Sequence, residues 1–251
     1  MRRREIAIVI TAAALLAAIV VSLALPVTRT ATFHRYADTA TWLGIPNALN
    51  VLSNLPFLVA GAWFVLRAET IYARLASLGV VAIGIGSAAH HFAPGDVTLA
   101  FDFLPIVVTL MIVTAALIAD RIGERAGLIA LGVGVVLAIA VVVIWYAGGG
   151  TGGSVALDGR SRGSMTPYVA VQALGILLPT LLALVAPGTI PRVPLLVGVL
   201  LFAVARLCSA NDHQILDAIG VSGHSLKHLA AAAAASCALY ALTSRATLRA
   251  S

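Results

Sequence analysis

AGLIALGVGVVLAIAVVVIWY, residues 126–146, decides the class of this protein. The stretch holds no charged residue, and its length matches the roughly 20 mostly apolar residues that a helix needs to cross a bilayer. The rest of the chain is similar: 61% of its 251 residues are hydrophobic, 10% are charged, and the mean hydropathy is +1.03. This composition excludes an ordinary water-soluble protein and predicts a polytopic membrane protein.

Seven further segments approach the same length, so the sequence predicts an all-α transmembrane helical bundle. The predicted spans are residues 5–26, 47–67, 73–92, 99–119, 126–146, 167–186, 193–210 and 224–244. Residues 1–27 are expected to be an additional N-terminal span, because their apolar run is longer than the ~7–15 residues of the apolar region in a signal peptide. Residues 28–46 form an outer loop that is amphipathic enough for a short interfacial helix, and residues 47–251 form a seven-helix core.

The net charge of +6 is interpreted as a topology signal. The basic residues are spread thinly over the loops without interleaved aromatics, which argues against nucleic-acid binding. With a cytoplasmic N-terminus, arginines are more frequent in the inner loops, as the positive-inside rule requires. The inner set is Arg2, Arg3, Arg4, Arg67, Arg74, Arg121, Arg125, Arg192, Arg245 and Arg249, and the outer set is Arg29, Arg35, Arg160 and Arg162. Eight spans then place the C-terminus in the cytoplasm as well.

The hexapeptide GHSLKH opens the last span with two histidines, His224 and His228. Their spacing of four residues puts both imidazoles on one helical face, as a shared metal ion requires. Ionisable groups inside a membrane are costly, so they favour a functional site. Lys227, between the two histidines, is expected to extend its amine to the outer interface.

A second polar group lies where the third span ends and the fourth begins. Ser87 and His91 are four residues apart on one face, and Asp102 follows beyond a Pro94–Gly95 turn. These residues and the two histidines of the last span should therefore lie at a similar depth near the outer surface. The agreement among three separate helices predicts a metal site there.

The residue types indicate the chemistry of this site. Three neutral imidazoles, from His91, His224 and His228, form a catalytic zinc set when water takes the fourth position. Asp102 is then placed to act as general base or to orient a ligand. Ser87 either donates a hydrogen bond to an oxyanion or bonds the backbone of its own helix.

Several neighbouring residues have alternative interpretations. His90 could replace His91 as the ligand, although it points about 100° away on the helix. Amides along one stripe of the second span favour helix–helix contacts over catalysis. These amides, with one adjacent serine, are Asn47, Asn50, Asn54 and Ser53.

Two polar groups outside this site are expected to have simpler roles. Arg206 and Asp212, at the outer end of the seventh span, could form an ion pair or anchor a loop. His34 and His213 are expected to lie in solvated outer loops.

The combined pattern resembles the zinc site of the alkaline ceramidase family, which belongs to a superfamily of seven-helix membrane hydrolases. The pattern consists of S-x3-H, an aspartate eleven residues later, and a final-helix H-x3-H, and NVLSN resembles the family's Asn-x-x-Ser-Asn at its first core helix. The resemblance implies hydrolysis of ceramide to a sphingoid base and a fatty acid, in a bacterial-type enzyme of the inner membrane. It also implies a zinc ion and an activated water, served by His91, His224, His228, Ser87 and Asp102.

The region before the first core helix, YADTATWLGIPN, departs from this family. It keeps Asp38 and Trp42 but lacks the glutamate of the animal calcium motif, so a calcium site is doubtful. Three other functions stay open: an ester hydrolase acting on phospholipids or lipid anchors, a receptor-like seven-helix protein with a structural zinc, and a proton-coupled transporter. The short spacing from His91 to Asp102 favours the ceramidase side, and the grouping of ionisable residues at one face disfavours a transporter.

Overall fold

The computed structural model describes residues 3–24, 34–152 and 164–247. Within these ranges the chain is almost entirely helical and has no β-strand, which confirms the all-α bundle. The helices are α1 (Arg3–Ala24), α2 (Ala48–Leu52), α3 (Leu55–Val65), α4 (Ile71–Phe92), α5 (Asp96–Arg121), α6 (Glu124–Ala147), α7 (Thr166–Val185), α8 (Arg192–Ala210), α9 (Asp212–Ile219) and α10 (Gly223–Thr247). Five arginines of the topology argument lie outside the described residues: Arg2, Arg29, Arg160, Arg162 and Arg249.

Seven helical segments of the described chain are long and apolar enough to cross a membrane. They are α2 and α3 taken together, α4, α5, α6, α7, α8 and α10, and they correspond to the second to eighth predicted spans. This pattern indicates an integral membrane protein with a seven-helix core. Helix α1 packs against α7 and buries Ala7 in the main hydrophobic cluster.

The second predicted span, 47–67, is not one continuous helix. It breaks at Ser53 and Asn54 between α2 and α3, because Pro56 has no N–H and its ring disfavours a helical carbonyl four residues earlier. Two side chains donate hydrogen bonds to a carbonyl oxygen that the break leaves without its helical N–H partner. Ser53 Oγ and Asn54 Nδ2 both donate to the carbonyl oxygen of Asn50, at 3.0 and 2.8 Å.

The prediction of a short interfacial helix within residues 28–46 is wrong for the described part, residues 34–46. This segment is an irregular loop closed by reciprocal backbone hydrogen bonds between Trp42 and Ile45. The buried carboxylate of Asp38 holds it, by accepting hydrogen bonds from the backbone N–H groups of Ala40 and Asn50. A side-chain acceptor that binds its own turn offers the backbone an alternative to a helix.

Helix α5 runs through the centre of the bundle and packs against α4, α6 and α7. Its contact with α4 is closest at Gly86, where a β-carbon would overlap the carbonyl oxygen of Phe101. A glycine is required there because only hydrogen leaves room for the neighbouring backbone. The close approach sets the next residue of each helix, Ser87 and Asp102, side by side.

Candidate metal centre

Three histidines from two helices meet at one end of the bundle. His91 lies near the end of α4, and His224 and His228 lie in the first turns of α10; their exposed fractions are 0%, 8% and 2%. One nitrogen from each ring lies within 4.8 Å of the other two, and every pair of ring centroids is 4.8 Å apart. We call these three residues the histidine cluster. Its geometry can hold a metal ion.

The shortest contact in the cluster joins His91 Nε2 and His224 Nε2, which are 3.2 Å apart. Two unprotonated imidazole nitrogens repel each other through their lone pairs, so a proton or a cation must lie between them. Either a hydrogen bond between two neutral rings, with the proton on one Nε2, or a metal ion bound by both nitrogens satisfies this contact.

A hydrogen bond to Ser53, which lies between α2 and α3, fixes the tautomer of His228. The Ser53 hydroxyl donates to the Asn50 carbonyl oxygen at 3.0 Å, so its oxygen accepts from His228 Nδ1 at 2.8 Å. The ring proton of His228 thus resides on Nδ1, and Nε2 is left as the nitrogen that can bind a metal. Outer hydrogen bonds of this kind orient metal-binding histidines in many proteins.

Removing this hydrogen bond should weaken the metal site. We expect Ser53→Ala to lower metal affinity by about 10–100-fold, because His228 would lose its fixed tautomer and ring orientation. Competition against a chromophoric chelator measures this affinity. Ser77→Ala is the matched control, since Ser77 is also buried but, among the described residues, donates to the Ala73 carbonyl of its own helix alone. Equal affinities in the two variants would show that Ser53 does not position His228.

His90 uses both ring nitrogens in other contacts. Its Nδ1 lies 3.1 Å from Thr98 Oγ1, which itself donates to the carbonyl oxygens of Ala93 and Gly95. Nδ1 is therefore the donor, and Nε2 accepts from the Tyr36 hydroxyl at 2.7 Å. This bonding leaves His90 without a free nitrogen for a metal, and it favours His91 as the ligand.

Tyr36 covers the histidine cluster, although sequence analysis gave it no role. Its ring centroid is 4.5 Å from those of His91 and His224. Burial raises the pKa of the Tyr36 hydroxyl, and the carboxylates of Asp102 and Asp212 raise it further, so the phenol stays protonated and donates to His90. A tyrosine in an irregular loop has no periodicity or spacing that would indicate this position.

Asp102 and Ser87 both lie beside the histidine cluster. Ser87 Oγ is 3.4 Å from His228 Nε2, and the buried Asp102 carboxylate faces Ser87 and Lys227. Within the described residues, the Ser87 hydroxyl has Asp102 and His228 as hydrogen-bond partners rather than the α4 backbone. Ser87 therefore contacts a residue that could hold a metal, and Asp102 lies next to Ser87.

The prediction that Lys227 reaches the outer interface is wrong. Its Nζ atom lies 3.2 Å from His224 Nε2, and it also interacts electrostatically with Asp102. The reason is helical geometry, since residues three apart lie on the same face of α10. Lys227 supplies the cation for Asp102 that α5 does not provide.

Asn47 and Asn50 of the second span connect helices, as predicted, whereas the amide of Asn54 donates to the Asn50 carbonyl oxygen of its own segment. Asn47 Nδ2 donates to the His91 carbonyl oxygen at 2.8 Å and so ties the start of α2 to α4. Asn50 Oδ1 accepts from the hydroxyls of Ser222 and Ser225, which fixes the start of α10. These contacts position the two helices that carry the cluster.

Asp212 acts as the loop anchor that was one of its two predicted roles. Its carboxylate accepts from the backbone N–H of His224 at 2.8 Å and from that of Ala37 at 3.0 Å. Arg206 is exposed, and the described structure shows no ion pair between it and Asp212. Asp212 thus joins α9, which the sequence did not predict, to α10 and to the loop that carries Tyr36.

The two histidines expected in solvated loops have different environments. His34 is largely buried, and its Nε2 lies 3.1 Å from both Asp96 Oδ1 and Thr151 Oγ1, so that prediction is wrong. His213 is exposed as expected, but it lies on α9 rather than in a loop. The contacts of His34 close the loop 34–46 over the end of the bundle.

Comparison with models of known protein families and with curated proteins finds no match for this chain. The chemistry of the site therefore has to be inferred from its own residues. These residues are three converging imidazoles, a buried carboxylate, a serine hydroxyl and a lysine amine, at one end of an apolar bundle.

Proposed function

We propose that this protein is a zinc-dependent membrane hydrolase that cleaves the N-acyl bond of ceramide-like lipids. One observation carries the proposal: three buried imidazoles converge, with Asp102 and Ser87 beside them. A structural metal site usually has four protein ligands, whereas three histidines leave a position for water or substrate. The resemblance of these residues to the alkaline ceramidase pattern supports the amide as the bond cleaved.

The donor set favours zinc over other common metal ions. Magnesium and calcium prefer oxygen ligands, whereas imidazole nitrogens suit zinc. Two nitrogens bound to tetrahedral zinc at about 2.0–2.1 Å lie about 3.3 Å apart. The 3.2 Å separation of His91 Nε2 and His224 Nε2 is close to this value, and the three ligand nitrogens together lie within 4.8 Å of one another.

Zinc bound there would polarise the acyl carbonyl and lower the pKa of water towards about 7. Asp102 accepts a proton from the attacking water, whose oxygen forms a bond to the carbonyl carbon. Ser87 donates a hydrogen bond to the carbonyl oxygen as negative charge develops on it. The carbon–nitrogen bond then breaks, its electron pair stays on nitrogen, and Asp102 returns the proton to the leaving amine. The products are a fatty acid and an amine.

The apolar spans support an integral membrane location, where lipid substrates are at hand. We place the protein in a bacterial inner membrane with both termini in the cytoplasm and the histidine cluster near the outer face. The excess of arginine on the assigned inner side supports this orientation. A topology reporter fused after Ser251 should accordingly give a cytoplasmic signal, and a signal from the opposite side would reverse the orientation.

Fatty-acid release by the purified protein tests the proposed function. We expect release from ceramide that a strong zinc chelator abolishes and that added zinc restores, because the three imidazoles would hold the only activating ion. A phospholipid measured in parallel distinguishes amide from ester cleavage. Release from the phospholipid alone would replace the amidase with an ester hydrolase. Bound zinc without release from either lipid would favour the receptor-like alternative.

A further inference from the structure

Lys227 contacts the histidine cluster directly, and the proposed hydrolysis does not use it. The side chain is only partly exposed, and Nζ lies 3.2 Å from His224 Nε2. Within the described residues this nitrogen is the single hydrogen-bond acceptor that Nζ reaches. A lysine ammonium has three N–H donors, so most of its hydrogen-bonding capacity is unused here.

The one acceptor of Lys227 is a nitrogen that a metal would occupy. A neutral imidazole has one lone pair in the plane of its ring, on the nitrogen that carries no proton. When His224 Nε2 binds a metal ion, the same lone pair cannot accept a hydrogen bond from Lys227. The ammonium then needs a different acceptor close to the cluster.

Charge balance leads to the same requirement. A divalent ion, the Lys227 ammonium and the Asp102 carboxylate together carry roughly +2, and unpaired charge in buried surroundings is costly. Asp212 also interacts electrostatically with Lys227, but its two carboxylate oxygens already accept the backbone N–H groups of His224 and Ala37. Transfer of a proton from water to Asp102 leaves this sum unchanged, so an anionic group on the substrate would be needed to offset it.

We propose that Lys227 binds an anionic group of the substrate, so that the preferred lipid is an acyl amide with a phosphate or carboxylate next to the scissile bond. The proposal rests on the proposed amidase function and adds a substrate class to it. Its geometric basis is the 3.2 Å contact, since a group held by Lys227 lies beside whatever the cluster binds. A neutral ceramide would bring no anion of its own to the ammonium.

Two matched substrate pairs test this preference. Ceramide 1-phosphate against ceramide varies a phosphate, and N-oleoylglycine against N-oleoylethanolamine varies a carboxylate. We expect kcat/KM to be about tenfold or more higher for the anionic member of at least one pair, since a hydrogen bond to a charged group contributes about 1.5–3 kcal/mol. The pair that shows the preference identifies the anion.

Variants of Lys227 separate substrate binding from a general effect on the site. In Lys227→Met the ratio of kcat/KM for the anionic substrate to that for the neutral substrate should fall to about one. Lys227→Arg should retain most of this ratio because the charge remains. Arg125→Met is the control, since it removes an exposed cation at the start of α6, at the opposite end of the bundle. If Lys227 served only as counter-ion to Asp102, Lys227→Met would slow both members of each pair equally. That result would overturn the proposal.

Binding measurements decide the proposal even if no lipid is cleaved. Titration calorimetry of the zinc-loaded protein with N-oleoylglycine and N-oleoylethanolamine reports affinity without turnover. Tighter binding of the carboxylate that is lost in Lys227→Met would support the anion site, whatever the reaction proves to be. Equal binding of the two amides by the unaltered protein would overturn it, while chelator-sensitive hydrolysis of ceramide would still stand.

Discussion

Replacing His91 with alanine should empty the histidine cluster of metal and reduce hydrolysis by more than about a hundredfold. Loss of an outer partner alone typically costs about 10–100-fold in affinity or activity, and His91 would be a direct ligand. It is also the only member of the cluster on α4, so α10 alone cannot complete the three-nitrogen set. Metal content by mass spectrometry and fatty-acid release, measured on the same preparation, check both effects.

His90 and His213 provide matched controls for this variant. His90→Gln should retain its metal, because the ring nitrogens of His90 are engaged by Tyr36 and Thr98. His213→Ala removes an exposed histidine of α9 and should behave like the unaltered protein. Metal retained in His91→Ala but lost in His90→Gln would transfer the ligand role to His90.

Asp102→Asn should reduce kcat by about 10²–10⁴-fold while the zinc content stays unchanged. The substitution keeps the size of the side chain but removes the carboxylate that would accept the proton of water. Asp102 is buried and lies beside Ser87 and Lys227. Steady-state kinetics together with metal analysis separate loss of chemistry from loss of the site.

Asp217→Asn is the control for this experiment, since it makes the same change on an exposed carboxylate of α9. Parallel loss of metal and activity in Asp102→Asn would make Asp102 a residue that supports the metal site rather than the base. Full activity with full metal content would exclude any role for Asp102 in the reaction.

Local sequence was sufficient for the class of fold and for most of the site. The length of each apolar run is a property of the segment itself, and it predicted the seven spans of the core. Helical spacing then placed Ser87 with His91, and His224 with His228, on common faces near span ends. The break between α2 and α3 was also encoded locally, by Pro56, although the apolar pattern of residues 47–67 suggested one continuous span.

Tertiary structure alone decided which neighbouring side chains face the cluster. His90 and His91 are adjacent and equally polar, so only the packing of α4 against α5 and α10 determines which ring points inward. Lys227 turns towards His224, and Tyr36 reaches the cluster from an irregular loop that Asp212 and Asp38 anchor. Sequence spacing gives the angle between residues of one helix, but the rotation of that helix follows from its contacts with other helices. That rotation can be read only from the folded bundle.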